Sequence, residues 1–131
     1  MPVIDIHERS FRFACRIVKL HHLLAPRKII ALSLLNQLLR SGTSIGANLE
    51  EAKAGQSKAD FIAKCRISLK EARESHYWLR LLDATEIVQT PQIAPLVQES
   101  NELVAILTTI VKKASASLHR HDFKADDEGP S

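Results

Sequence analysis

The chain has 131 residues, 45% of them hydrophobic and 25% charged, which suits one domain with a sizeable core. It holds only four glycines and has no proline between Pro26 and Pro91, which disfavours a turn-rich β architecture. No apolar run is long enough to cross a bilayer and the first residues lack a secretory signal, so we expect a cytoplasmic protein without membrane contact.

The net charge of +3 is unevenly distributed along the chain. Residues 1–40 hold seven Lys/Arg against two acids, whereas the remaining residues hold eleven against thirteen. This asymmetry indicates a basic face that meets an acidic partner.

Helix one is predicted from about Glu8 to Leu24, because apolar side chains recur there at spacings of three and four. These side chains are Phe11, Phe13, Ala14, Cys15, Ile17, Val18, Leu20 and Leu24. The helix is expected to end at "APR" (25–27), since proline restricts the residue before it and lacks an amide donor.

Helix two contains the glycine-bearing stretch "RSGTSIGANLEEAKAG". A predicted core seam runs through it, with residues at spacings that alternate between four and three: Ala31, Leu35, Leu38, Gly42, Ile45, Leu49 and Ala52. The seam passes through Gly42, so we expect continuous helix there and a helix stop at Gly55. In a hairpin with helix three, Gly42 and Gly46 are expected to face that helix and let the two backbones approach closely.

Helix three is predicted from about Lys58 to Val88, with Ser57 as its N-terminal cap. Its core-facing residues are Ile62, Cys65, Leu69, Ala72, Leu79 and Leu82. Two i,i+4 ion pairs, Asp60–Lys64 and Lys70–Glu74, are expected on its surface.

Helix four follows the connection "QTPQIAP" (89–95) and is predicted to end near Leu118. Residues 119–131 are polar and without periodicity, so we expect a disordered tail after a domain spanning residues 1–118. Four amphipathic helices with short connections predict an all-α, antiparallel up-down four-helix bundle.

Two rows of cations are candidate sites for nucleic acid. The helix-one row consists of Arg9, Arg12, Arg16 and Lys19. Glu8 is the only acid in that helix, so local ion pairs are not expected to neutralise the row, and evenly spaced cations suit a phosphate backbone. The alternative is a solvated face, or salt bridges to acids of another subunit such as Glu50 or Glu51.

The helix-three row consists of Arg66, Lys70, Arg73 and Arg80. Tyr77 lies among these cations and could stack on a base. Because Glu71 and Glu74 flank the row, a charge-laced, exposed helix is the simpler interpretation.

A polar stripe runs beside the core seam of helix two. Its members are Gln37, Ser41, Ser44, Asn48 and Glu51. The stripe is either solvated surface or an interface at which small side chains hydrogen-bond a neighbouring helix or subunit.

The sequence contains no pattern typical of an active site or a metal centre. It has no Cys-x-x-Cys or His-Glu-x-x-His set, and Cys15 and Cys65 are isolated in apolar surroundings that indicate reduced, buried thiols. We therefore expect no catalysis, no cofactor and no metal.

The segment "SGTSIGANLEEAKAGQSKADFIAKCRISLKEARESHYWLRLL" resembles bacterial four-helix-bundle proteins encoded within intervening sequences of large-subunit ribosomal RNA genes. Their superfamily includes the accessory variability determinant of diversity-generating retroelements. The resemblance covers Arg9 to about Lys113, and Ser44-Ile45-x-x-Asn48-Leu49-x-Glu51 is its most specific part. It implies a homopentameric ring without known catalysis, in which Ser44, Asn48 and Glu51 are structural or interface residues.

For the retroelement relatives, the resemblance also implies association with a reverse transcriptase and with nucleic acid. We therefore expect a non-enzymatic oligomeric scaffold that presents a basic surface to RNA, DNA or a nucleic-acid-processing partner, such as a reverse transcriptase or a ribosome-associated factor. The alternative is a purely structural or protein-interaction bundle that binds no nucleic acid.

Overall fold

In the computed structural model the described residues are 5–26, 31–55 and 57–127, with side chains described as far as residue 120. The helices are α1 (Ile6–Leu24), α2 (Leu32–Lys53), α3 (Lys58–Thr85) and α4 (Ile93–Asp127). No strand occurs within those ranges, so the described chain is all-α, as the sequence predicts. None of these four helices is apolar over a length that could span a membrane.

Side-chain caps fix where two of the helices begin. The Asp5 carboxylate accepts a hydrogen bond from the Glu8 amide at 2.9 Å, and the Ser57 hydroxyl accepts one from the Asp60 amide at 3.1 Å. At the other end of α3, Glu86 adopts a left-handed φ of 54°. That conformation ends α3 at Thr85, before the predicted end at Val88.

Helix α4 is longer than predicted at both ends. It begins at Ile93, so Pro95 lies in the first turn, where a missing amide donor costs no helical hydrogen bond. It continues to Asp127, past the predicted end near Leu118 and into the segment predicted to be a disordered tail. No glycine or proline falls between Pro95 and Gly129 to stop it, and residues 128–131 lie outside the described residues.

One apolar core lies between the helices. All seven seam residues of α2 and all six predicted core residues of α3 are buried, which confirms both patterns. The prediction for helix one is wrong in part, because Phe11 and Val18 are 63% and 48% exposed. They lie on the side of α1 opposite Phe13 and Ile17, which are buried; Cys15 is only half-buried.

The glycines of α2 face α1 and not α3, so the predicted pairing of Gly42 and Gly46 with helix three is wrong. A Cβ on Gly42 would lie 3.0 Å from Cγ1 of Ile17, and a Cβ on Gly46 would lie 3.4 Å from Oγ of Ser10. The glycines therefore permit a close approach between α1 and α2.

Buried serines, and not glycines, lie at the boundary between α2 and α3. Ser68 donates a hydrogen bond to the Ile45 carbonyl, and Ser75 donates one to the Ser41 hydroxyl, each at 2.9 Å. As α3 advances along the chain, its contacts move back toward the start of α2. The pairs in order are Lys64–Glu51, Ser68–Ile45 and Ser75–Ser41. The same reversed order relates α1 to α2, since Ser10 lies beside Gly46 and Ile17 beside Gly42.

Candidate nucleic-acid interface

The N-terminal half of the helix-one row is neutralised by ion pairs. The Arg9 guanidinium donates to Glu99 at 3.2 Å and to Glu102 at 2.7 Å, both on α4, and Arg12 donates to Glu8 at 2.9 Å. Only the Arg12–Glu8 pair is local; both acids that bind Arg9 lie on another helix, so spacing within α1 does not indicate them. The hydrogen bond from Arg9 lowers the pKa of the Glu102 carboxyl, because it stabilises the ionised form.

The C-terminal half of the helix-one row remains exposed. Arg16 and Lys19 lie at a cavity of ≈ 220 Å³ between α1 and α4, whose other lining residues are Leu20, Leu23, Gln92 and Leu96. Within the described residues, neither cation forms a salt bridge. Arg16 and Lys19 are thus without a carboxylate partner in this part of the chain, while Arg12 is 60% exposed in its pair with Glu8.

The acids that flank the helix-three row are bound by an arginine from another helix. Arg40 of α2 donates to Glu71 at 3.1 Å and also forms a salt bridge with Glu74. The predicted Lys70–Glu74 pair is therefore wrong. Neither acid forms a salt bridge with a cation of the helix-three row, because both contact Arg40 instead.

The second ion pair predicted on α3, Asp60–Lys64, is also wrong. Lys64 instead contacts Glu51 of α2. Within the described part of the chain, no carboxylate forms a salt bridge with Lys70, Arg73 or Arg80, and all three side chains are exposed.

The start of the helix-three row lies beside an acid-free segment of α4, whereas Arg80 at its end lies beside Val97, before that segment begins. Arg66 donates a hydrogen bond to the Ser115 hydroxyl at 3.1 Å, which locates the start of the row at the boundary between the two helices. From Leu103 to Arg120 the sequence contains no Asp or Glu, and Lys112 and Lys113 are exposed there. We call the row together with this segment the α3–α4 basic face.

The polar stripe of α2 is largely satisfied within the chain. Ser44 donates to the Arg40 carbonyl at 2.6 Å, and Asn48 donates to the Ser44 carbonyl at 2.8 Å. Ser41 is buried, whereas Glu51 reaches Lys64 on α3. Of the neighbouring packing residues, Gly42 and Ile45 are buried and Gly46 is half-buried.

The described residues provide no group of three or more His, Cys, Asp or Glu side chains that could hold a metal ion. His76, the histidine within α3, has Nδ1 3.0 Å from the Ser100 hydroxyl. Burial raises the pKa of the Cys65 thiol, so it remains protonated and unreactive at neutral pH.

Four helices packed around one apolar core, with cations along the outside of α3, define a small all-α domain. The model of the 23S rRNA-intervening sequence protein family matches residues 3–109, and the chain belongs to that family. The resemblance found in the sequence is thereby confirmed.

Among solved structures, the chain is similar to a protein of unknown function from the S23 ribosomal protein family of Bacteroides thetaiotaomicron. The two share 44% identity and a TM-score of 0.76, over 82% of this chain and 99% of the other. No curated protein matches the chain.

Proposed function

We propose that the protein is a non-enzymatic scaffold that binds the phosphate backbone of nucleic acid through the α3–α4 basic face. One observation carries this proposal: Glu71 and Glu74 contact Arg40, and among the described residues no carboxylate forms a salt bridge with the exposed cations of the helix-three row. The sequence alone favoured the helix-one row, but Arg9 and Arg12 there already have carboxylate partners.

The dimensions of the helix-three row suit a nucleic-acid backbone. Arg80 follows Arg66 by 14 positions, which at the helical rise is about 21 Å. That length covers about six base-pair steps of a duplex. Long, exposed Arg and Lys side chains can each reach a phosphate, and the release of counterions then supplies most of the affinity.

We further propose that the helices form an antiparallel up-down bundle and that five copies assemble into a ring. The reversed order of contacts between α2 and α3, and between α1 and α2, supports the antiparallel arrangement. The number five rests on the family resemblance, and the exposed Phe11 and Val18 offer an apolar surface to another copy. Light scattering should give five times the chain mass of 14.6 kDa; a monomer would reject the ring.

The partners that the resemblance suggests, a reverse transcriptase or a ribosome-associated factor, would meet the same basic face in a cytoplasmic complex. Free thiols at Cys15 and Cys65 suit a reducing compartment. A protein-interaction module without nucleic-acid binding is the second candidate, and the exposed apolar side chains of α1 favour it.

A salt titration separates these two functions. Binding of the purified protein to duplex DNA and to a structured RNA is measured by fluorescence anisotropy at increasing salt. If four cations each neutralise one phosphate, the slope of log K against log salt for duplex DNA is about −3.6. Absence of binding at about 50 mM salt would leave only the protein-interaction module.

A further inference from the structure

An exposed aromatic side chain borders a cavity at the C-terminal end of the helix-three row. Tyr77 is 53% exposed, and its ring centroid lies 5.3 Å from that of Trp78 in an edge-to-face arrangement. The cavity has a volume of ≈ 300 Å³. Its lining residues are Tyr77, Arg80, Leu81, Asp83, Ala84 and Val97.

The lining combines three kinds of chemistry in one place. Leu81, Ala84 and Val97, together with the ring of Tyr77, provide an apolar surface. Arg80 belongs to the helix-three row and supplies a cation, whereas Asp83 supplies an acceptor for N–H groups. A planar, partly polar group attached to a phosphate matches all three.

We infer that this cavity binds an unpaired nucleobase of a single-stranded nucleic acid whose backbone follows the helix-three row. The inference rests on the proposed function and specifies that the nucleic acid is single-stranded. The base stacks on Tyr77, its phosphate contacts Arg80, and its amino or imino hydrogens face Asp83. Bases of an intact duplex are paired and stacked, so they cannot enter the cavity.

The acid and the apolar surface distinguish this occupant from a simple anion. A free phosphate would use Arg80 alone and would leave the Asp83 carboxylate and the apolar surface without a partner. A nucleotide places the neutral N–H donors of its base toward that carboxylate and its charged phosphate at Arg80.

Stacking on an exposed aromatic residue predicts a specific effect of removing its ring. Base–aromatic stacking is lost in Tyr77→Ala, so affinity for a single strand is expected to fall about tenfold or more. Tyr77→Phe keeps the ring and should bind like the unaltered protein. The exposure of Tyr77 makes both variants compatible with folding, which circular dichroism checks.

The experiment uses the full chain and four labelled probes of equal length. They are single-stranded DNA, single-stranded RNA, duplex DNA, and a DNA strand with abasic sites that retains the phosphates but has no bases. Fluorescence of Trp78, the single tryptophan of the chain, reports occupation of the cavity next to Tyr77.

We expect single strands, but not the duplex or the abasic strand, to change Trp78 emission, and Tyr77→Ala to weaken single-strand binding alone. Equal binding of abasic and normal strands, or unchanged single-strand affinity in Tyr77→Ala, would overturn the inference while leaving the basic face intact. Failure of all four probes to bind would instead reject the proposed function.

Discussion

A Gly42→Leu variant is expected to lose about 3 kcal/mol or more of unfolding free energy. A Cβ at this position would already lie 3.0 Å from Cγ1 of Ile17, and leucine adds three further carbons toward the buried α1–α2 contact. Overpacking of a well-packed core typically costs about 1–3 kcal/mol, and more where two helices must separate. Urea denaturation followed by circular dichroism measures the loss.

Gly46→Ala is the matched control for this prediction. Its added Cβ would meet Ser10 at 3.4 Å, which is an ordinary contact, and alanine has a higher helix propensity than glycine by about 1 kcal/mol. The control should therefore be as stable as the unaltered protein or slightly more so. A Gly42→Leu variant of unaltered stability would show that α1 and α2 do not approach closely at this glycine.

The double variant Arg73→Glu/Arg80→Glu is expected to weaken nucleic-acid binding a hundredfold or more at low salt. Two attractive contacts become two repulsive ones, and each contact or repulsion amounts to about 1 kcal/mol between unit charges at 4 Å in water. Both side chains are exposed, so the folded structure should persist. Anisotropy titrations of duplex DNA and structured RNA measure the effect.

Arg12→Glu/Arg16→Glu changes the net charge by the same amount on α1 and is the matched control. Arg12 is already paired with Glu8, so only Arg16 adds an unpaired cation to this control. We expect this control to weaken binding much less than the α3 variant. An equal or larger loss in the control would assign the contact to the helix-one row.

Sequence periodicity predicted the helices and most of the core, because burial of one helical face imposes the spacing of three and four. The seam of α2 is buried at every predicted position, Gly42 included. In α1 the pattern was ambiguous, since apolar residues occur on two faces. Only the face with Phe13 and Ile17 is buried against the other helices.

Charge pairing was the part that the sequence could not predict. Spacing within one helix suggested that Glu74 pairs with Lys70, but the nearest cation in the folded chain is Arg40 from α2. Likewise, Arg9 is neutralised by Glu99 and Glu102, which follow it by 90 residues or more. These partners are set by how the helices pack, and no local spacing indicates them.

The placement of the glycines depended on packing in the same way. Their spacing indicated that a helix could approach closely, but it did not tell which of two neighbouring helices does so. Ile17 and Ser10 of α1 lie against them, while serines fill the corresponding boundary with α3.

The most direct test of the basic face compares salt slopes in charge-neutralising variants. Each phosphate contact that is removed should reduce the slope of log K against log salt by about one. We predict that Arg73→Gln/Arg80→Gln reduces the slope by about two, whereas Arg16→Gln/Lys19→Gln leaves it unchanged. An unchanged slope for the α3 pair would contradict the proposal, whatever the result for the α1 pair.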